Sequence, residues 1–235
     1  MNILKFLKAE FSGWEKYERI LFPSVILLIV CISFVTGDNK IALVSAVCGI
    51  SYTILAGKGK ISCYFCGLCG TLCYSYLAFK NALYGNLLLY LGYYLPMQTL
   101  GIFLWRKHLN KETHEIIKTR LSTKARVLYS FAAITGTVIL FFVLQKLGDA
   151  TPFLDAVTTI FSVAGLILTL KRCVEQWYAW LIVNGLSVIM WTKAYINGSN
   201  CLATILMWAV YFVLGIYFLY IWKRELSGSI KKDPR

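Results

Sequence analysis

An all-α integral membrane protein with about eight transmembrane helices is the fold that these 235 residues call for, and three observations carry it. Apolar side chains make up 58% of the chain, charged ones only 15%, and the mean hydropathy is +0.65. Soluble domains carry about 45–50% apolar and about 25% charged residues, and a core of this size could not hide so much apolar surface from water. The apolar residues fall in continuous runs of spanning length with no period-2 alternation, which excludes a membrane barrel. Basic connections alternate with connections nearly free of Lys and Arg, as a multi-pass chain requires. The composition also excludes a disordered protein and argues against a soluble enzyme.

Each element follows in order. Residues 1–19 alternate charged and apolar side chains and lack the apolar core of a signal peptide. They read as a short amphipathic helix on the membrane surface, anchored by Phe6, Phe11 and Trp14. A span needs about 20 mostly apolar residues. Such runs occur at 20–36, 41–56, 61–79, 83–105, 127–145, 153–170, 176–195 and 201–222. The second is short, and the third and seventh include polar residues. In lipid each backbone group must be satisfied within its own segment, so the runs are helices.

Orientation follows from the cations. The N-terminus, the turn at 57–60, the long loop 106–126, the turn at 171–172 and the tail 223–235 hold 20 of the 24 Lys and Arg. The other side has only Lys40, Lys80, Lys146 and Lys193. Both termini are therefore expected in the cytoplasm, and the net charge of +13 reads as a topology signal, not as a sign of nucleic-acid binding.

Shifting the chain by 117 residues brings Tyr74 onto Trp191, Tyr94 onto Tyr211, and Trp105-Arg106-Lys107 onto Trp222-Lys223-Arg224. This gives a first three-helix repeat over 41–105, a lone linker helix over 127–145 and a second repeat over 153–222, with the span 20–36 as an extra N-terminal helix. The plan is 1+3+1+3, with the two repeats parallel, a known transporter design.

The most informative stretch is Trp177-x2-Trp180-x3-Asn184. Asn is a poor lipid-facing residue, so Asn184 points at protein or a polar cavity. Trp180 stands one turn away on the same face. A ring beside an amide suits a flat ligand with polar edges. Trp177 reads either as a further substrate contact or as an interfacial belt residue. In the fourth span Tyr90, Tyr94 and Gln98 form a stripe at intervals of four, with Pro96 inside it. Trp208 and Tyr211 share a face of the last span, and Tyr74 with Trp191 reads as an entrance or gate. Each stripe reads equally as ordinary packing.

Cys63-x2-Cys66-x2-Cys69-x3-Cys73 has the spacing of an iron–sulfur run. It lies inside an apolar span, where a helix would string the four thiols along about 15 Å. Small residues allowing close helix contact are the plainer reading. A membrane redox protein using these cysteines stands as the alternative from a different class, and a non-transporting scaffold as a third. Cys31, Cys48, Cys173 and Cys201 show no pairing logic. His108 and His114 sit isolated in the basic loop. No cofactor, metal site or catalytic residue is implied, and no nucleotide-binding glycine motif occurs. No Asp, Glu, Lys, Arg or His lies near the centre of a span. That argues against proton coupling, leaves sodium coupling open, and calls for a cargo without phosphate, either neutral or cationic.

The Trp177, Trp180 and Asn184 stretch, preceded by Glu175, together with the two three-helix units around a lone helix, resembles the PnuC family of vitamin transporters over about residues 20–224. The resemblance implies carriage of nicotinamide riboside across a bacterial inner membrane by facilitated diffusion, with a cytoplasmic riboside kinase trapping the cargo and supplying NAD biosynthesis. It also implies a SWEET-like layout and a homotrimer in the lipid bilayer. Trp180 and Asn184 match the family's binding stretch directly. Tyr94, Gln98, Trp208 and Tyr211 rest on helix geometry and the repeat. Nicotinamide riboside offers a pyridinium ring, an amide and a ribose, which an aromatic cage with Asn and Gln would suit. Thiamine, another flat cation, fits the same features.

Overall fold

A computed structural model of the chain describes residues 10, 13–37, 40–80, 84–110, 113–149, 151–198 and 202–231. The described regular structure is helical, and it divides into two compact units, Met1–Ile117 and Lys118–Arg235.

The first unit holds α1 (Glu18–Thr36), α2 (Lys40–Gly57), α3 (Cys63–Lys80), α4 (Tyr84–Leu89), a π-helical turn (Tyr90–Tyr94) and α5 (Leu95–Arg106). Helix α1 starts with Glu18 in its first turn and stops at Gly37, whose φ of 71° is the left-handed cap that favours glycine. It packs on α2, α2 packs on α3, and α3 packs on the π turn and α5. The second unit holds α6 (Thr123–Lys146), α7 (Pro152–Leu170), α8 (Gln176–Ile196) and α9 (Leu202–Lys231), each packed on the next. Ser122 caps α6, its Oγ accepting from the Ala125 N–H, and Pro152 opens α7 where a missing N–H is harmless.

Among the described residues seven segments are long and apolar enough to cross a bilayer: α1, α2, Leu87–Arg106, α6, α7, α8 and Thr204–Gly228. Helix α3 also has 18 residues but falls short in apolarity, since Tyr64, Thr71, Tyr74, Ser75 and Tyr76 dilute it. The chain is thus a multi-pass membrane protein with seven or eight candidate spans. Outward-facing Phe, Leu, Ile and Val side chains, such as Phe131 and Ile134 on α6, are those a lipid-facing surface requires.

Three details differ from the sequence expectations. Residues 13–17 form a turn, not a surface helix: Gly13 is left-handed at φ 75°, and Trp14 is held edge-on by the buried Phe22 at 5.2 Å. Phe6 and Phe11 lie outside the described residues, as do Cys201 and most of 1–12. The fourth span is not one α-helix. Pro96 has no N–H to donate and its ring would clash with the carbonyl four residues back. The chain widens just before it, with the Leu95 N–H reaching the Tyr90 carbonyl five residues back. The last helix runs on to Lys231, past the expected end at 222.

The basic loop 106–126 is folded, not free. Its first half pairs with the turn of the first unit, Ile116 N–H donating to the Gly59 carbonyl at 2.9 Å. Its second half pairs with a turn of the second unit, where Thr119 N–H donates to the Arg172 carbonyl at 2.9 Å and Val174 N–H to the Thr119 carbonyl at 3.0 Å. Lys58 and Lys60 are buried: Lys58 pairs with Glu18 at 2.9 Å, and Lys60, fully enclosed, pairs with Glu115 at 3.3 Å. Partnership is what allows charges to sit there.

Candidate functional site

In the first unit the site residues gather on α3, the π turn and α5. Gln98 is buried, with its carbonyl oxygen accepting from Thr71 Oγ1 at 3.1 Å. Gly67 on α3 makes the approach possible: a Cβ there would lie 3.2 Å from the Gln98 amide carbon and 2.8 Å from the Tyr52 ring. Tyr74 stacks on Tyr90 at 4.2 Å between centroids, and Tyr90 meets Tyr94 at 4.9 Å, so three of the expected side chains form one continuous aromatic run. Toward the basic end, Tyr64 is fully buried, lies edge-on to Trp105 at 4.9 Å and presses on Gly101. The hydroxyls of Tyr52 and Tyr64 are buried without a hydrogen-bond partner among the described residues.

In the second unit the site residues lie on α8 and α9. Trp180 packs its ring on Gly165 of α7, where a Cβ would come within 3.0 Å, and its Nε1–H donates to Thr169 Oγ1 at 3.3 Å. The ring is thereby fixed in plane and tilt. Asn184, one turn on, is 7% exposed and faces Gly215 of α9. Its carboxamide makes no hydrogen bond to any described residue. The amide atoms are not fully enclosed, so they remain open to a ligand. Trp208 and Tyr211 meet at 5.8 Å on α9. Trp191 is exposed near the far end of α8. Trp177 is not a belt residue: it is buried, stacked on Phe218 at 5.4 Å and edge-on to Trp222 at 5.7 Å.

The two units solve the same packing problem with the residues exchanged. Gly67 and Asn184 are 117 positions apart, as are Gln98 and Gly215. In the first unit the glycine is on α3 and the amide on α5; in the second the amide is on α8 and the glycine on α9. Each unit thus buries one carboxamide against one glycine. Trp105 and Trp222, also 117 apart, are both fully buried. Sequence reasoning missed Tyr52, Tyr64, Thr71, Gly165 and Thr169. A hydroxyl or glycine in a span is common enough to carry no signal alone, but the glycine–amide exchange under the 117-residue shift was there to be read.

The four cysteines of the 63–73 run stand on one continuous helix, α3, with Cys63 buried and Cys69 exposed. Among the described residues no group of three or more His, Cys, Asp or Glu is placed to hold a metal ion.

Comparison with known proteins gives a consistent picture. Residues 39–224 match the family model described as nicotinamide mononucleotide transporter. The chain is 32% identical over 229 residues to the nicotinamide riboside transporter PnuC of Neisseria mucosa, covering 95% of this chain and 87% of that one. It is 31% identical over 232 residues to the protein of the same name from Haemophilus influenzae, covering 97% and 100%. A crystal structure of the vitamin B3 transporter PnuC matches with a TM-score of 0.81 at 30% identity, covering 95% of this chain and 97% of that one.

Proposed function

The chain belongs to the PnuC family of membrane transporters, and from that premise we propose that it carries nicotinamide riboside. It is a transporter and not an enzyme, as its relatives are named. The observation that carries the riboside reading is Asn184, a mostly buried residue whose carboxamide bonds to no described residue and stands one helical turn from the fixed ring of Trp180. Nicotinamide riboside has a carboxamide that both donates and accepts, and a pyridinium ring whose charge favours the face of an aromatic ring. Asn184 pairs with polar edges of the cargo and Trp180 stacks on it. Gln98, whose Nε2–H2 remains available after Oε1 accepts from Thr71, and Tyr94 are the counterpart set on the first unit. Trp208 and Tyr211 complete the aromatic surface of the second unit, Tyr90 that of the first, and Trp177 backs it from the core. Tyr74 serves as the entrance residue of the first unit and Trp191 as that of the second.

The family model is described by the mononucleotide, the relatives by the riboside. Charge favours the riboside. A phosphate in a low-dielectric site needs a cation, and the buried lysines at the basic end, Lys58 and Lys60, are already held by Glu18 and Glu115. Passage is facilitated diffusion, because no Asp, Glu, Lys, Arg or His stands at mid-span to couple protons. A cytoplasmic riboside kinase traps the cargo. The chain lies in a bacterial inner membrane with its basic connections and both termini in the cytoplasm, in a 1+3+1+3 arrangement, as a homotrimer.

A titration of the purified protein with riboside, mononucleotide, thiamine and riboflavin tests the cargo. Riboside is expected to bind, with mononucleotide and riboflavin at least tenfold weaker. Tighter binding of the mononucleotide overturns the reading, and displacement of riboside by thiamine at equal concentration moves the assignment to thiamine.

A further inference from the structure

The second unit contains a cavity of about 710 Å³ that the cargo residues do not line. At α8 it touches the capping residue Glu175 and then Tyr178, Ala179 and Ile182, whereas Trp177, Trp180 and Asn184 lie on the opposite face at about 100° per residue. Along three helices it extends over seven residue steps: Arg126 to Ala133 on α6, Leu168 to Phe161 on α7, and Glu175, the residue before α8, to Ile182 on it. At 1.5 Å per residue that is a shaft about 10 Å deep. Its chemistry is graded. The mouth carries Arg120, Arg126, Lys223, Ser227 and the carboxylate of Glu175. The deep wall is Ala133, Phe161, Ala164 and Ile182, and it is apolar. Tyr178 and Ile182 are 44% and 38% exposed, so the shaft is open along its side.

The mouth has a surplus of positive charge that the protein does not neutralise. Glu175 is committed, one oxygen accepting from Arg126 Nε at 2.9 Å and the other from the Leu121 N–H at 3.2 Å. Arg120 is held in place, donating to the Lys223 carbonyl at 3.3 Å and to Ser227 Oγ at 3.2 Å. Lys223 lies over the Tyr178 ring at 5.0 Å and has no carboxylate within ion-pair reach among the described residues. Three cations against one carboxylate leave room for an anion. A free phosphate would use the mouth and leave the apolar shaft empty or wet, which is unfavourable in a membrane. A phospholipid fills both parts.

We propose that this cavity binds one anionic phospholipid from the leaflet at the basic end, its phosphate held by Arg120, Arg126 and Lys223 and an acyl chain lying along Ala133, Phe161 and Ile182. The site needs only the membrane embedding of the chain and not the identity of the cargo. Basic pockets between spanning helices are a recognised mode of headgroup binding.

The test uses the full chain released from nanodiscs containing equal amounts of phosphatidylglycerol and phosphatidylcholine, with retained lipids counted by native mass spectrometry. One phosphatidylglycerol per chain is expected, in preference to phosphatidylcholine. Lys223→Gln is expected to lower that preference about fivefold, the weight of one basic side chain at a headgroup. Ala133→Trp, which fills the shaft, is expected to lower retention of both lipids. Equal retention of the two lipids by the unaltered chain overturns the proposal, as does an unchanged preference in Lys223→Gln. Displacement of phosphatidylglycerol by millimolar glycerol 3-phosphate also overturns it, since that would make the mouth a site for soluble phosphates. Riboside titrations of the same samples are expected to be unaltered in Lys223→Gln.

Discussion

Replacing Asn184 by Ala separates a ligand-binding amide from a structural one. In the free protein the carboxamide is buried, faces Gly215 with its Nδ2 4.0 Å from where a Cβ would stand, and bonds to no described residue. Truncation therefore breaks no hydrogen bond to a described residue. It removes a mostly buried polar group and leaves a small gap, two effects of opposite sign of about 1 kcal/mol each. Stability should stay within about 1 kcal/mol, a shift in Tm of about 2–4 °C. Binding should respond differently. The amide donates once and accepts once to the cargo, each bond contributing about 0.5–1.5 kcal/mol. The loss of about 1–3 kcal/mol raises the riboside Kd by about 5-fold to 150-fold. Calorimetric titration and thermal unfolding on the same preparation read both quantities. A Kd unchanged within a factor of two, or a Tm lowered by more than 10 °C, would refute the reasoning.

Three further outcomes are expected. Gly101→Ala puts a Cβ 2.3 Å from the Tyr64 ring, which is fully buried and wedged against Trp105. Overpacking of about 1–3 kcal/mol should appear as a fall in Tm, and the additional change Tyr64→Leu should recover much of it. Tyr64→Phe alone removes a buried hydroxyl with no described partner, so its Tm should equal or exceed that of the parent. Glu18→Ala strands Lys58 in a buried position and should destabilise by about 3–5 kcal/mol, whereas the pair Glu18→Met with Lys58→Met should unfold close to the parent in a thermal melt.

The helical plan was legible because lipid leaves the chain few options. Long apolar runs have to be helices, and eight expected spans coincide with helices whose ends differ by a few residues. The larger departures have local causes that periodicity does not carry. Pro96 widens the turn ahead of it into a π-helical one, and the helix holding Lys223 and Arg224 continues to Lys231 where hydropathy alone ends it. Lys58 and Lys60 read as orientation charges, yet they are buried in ion pairs whose partners, Glu18 and Glu115, lie about 40 and 55 residues away in the chain. No local pattern announces such pairs. Trp180 and Asn184 could be singled out because a Trp and an amide are rare enough in a span to need a reason. Thr169, which fixes the Trp180 ring, and Thr71, which fixes Gln98, could not, since a threonine in a span usually bonds its own helix.

The proposed passage of nicotinamide riboside is passive and runs through a site without fixed charge. Purified protein in liposomes, given labelled riboside with no ion gradient, tests it directly. The label is expected to enter until the internal and external concentrations are equal, and an imposed proton or sodium gradient is expected to leave that endpoint unchanged. Accumulation above the external concentration when a gradient is applied, no uptake without one, or uptake of the mononucleotide in place of the riboside would contradict the account.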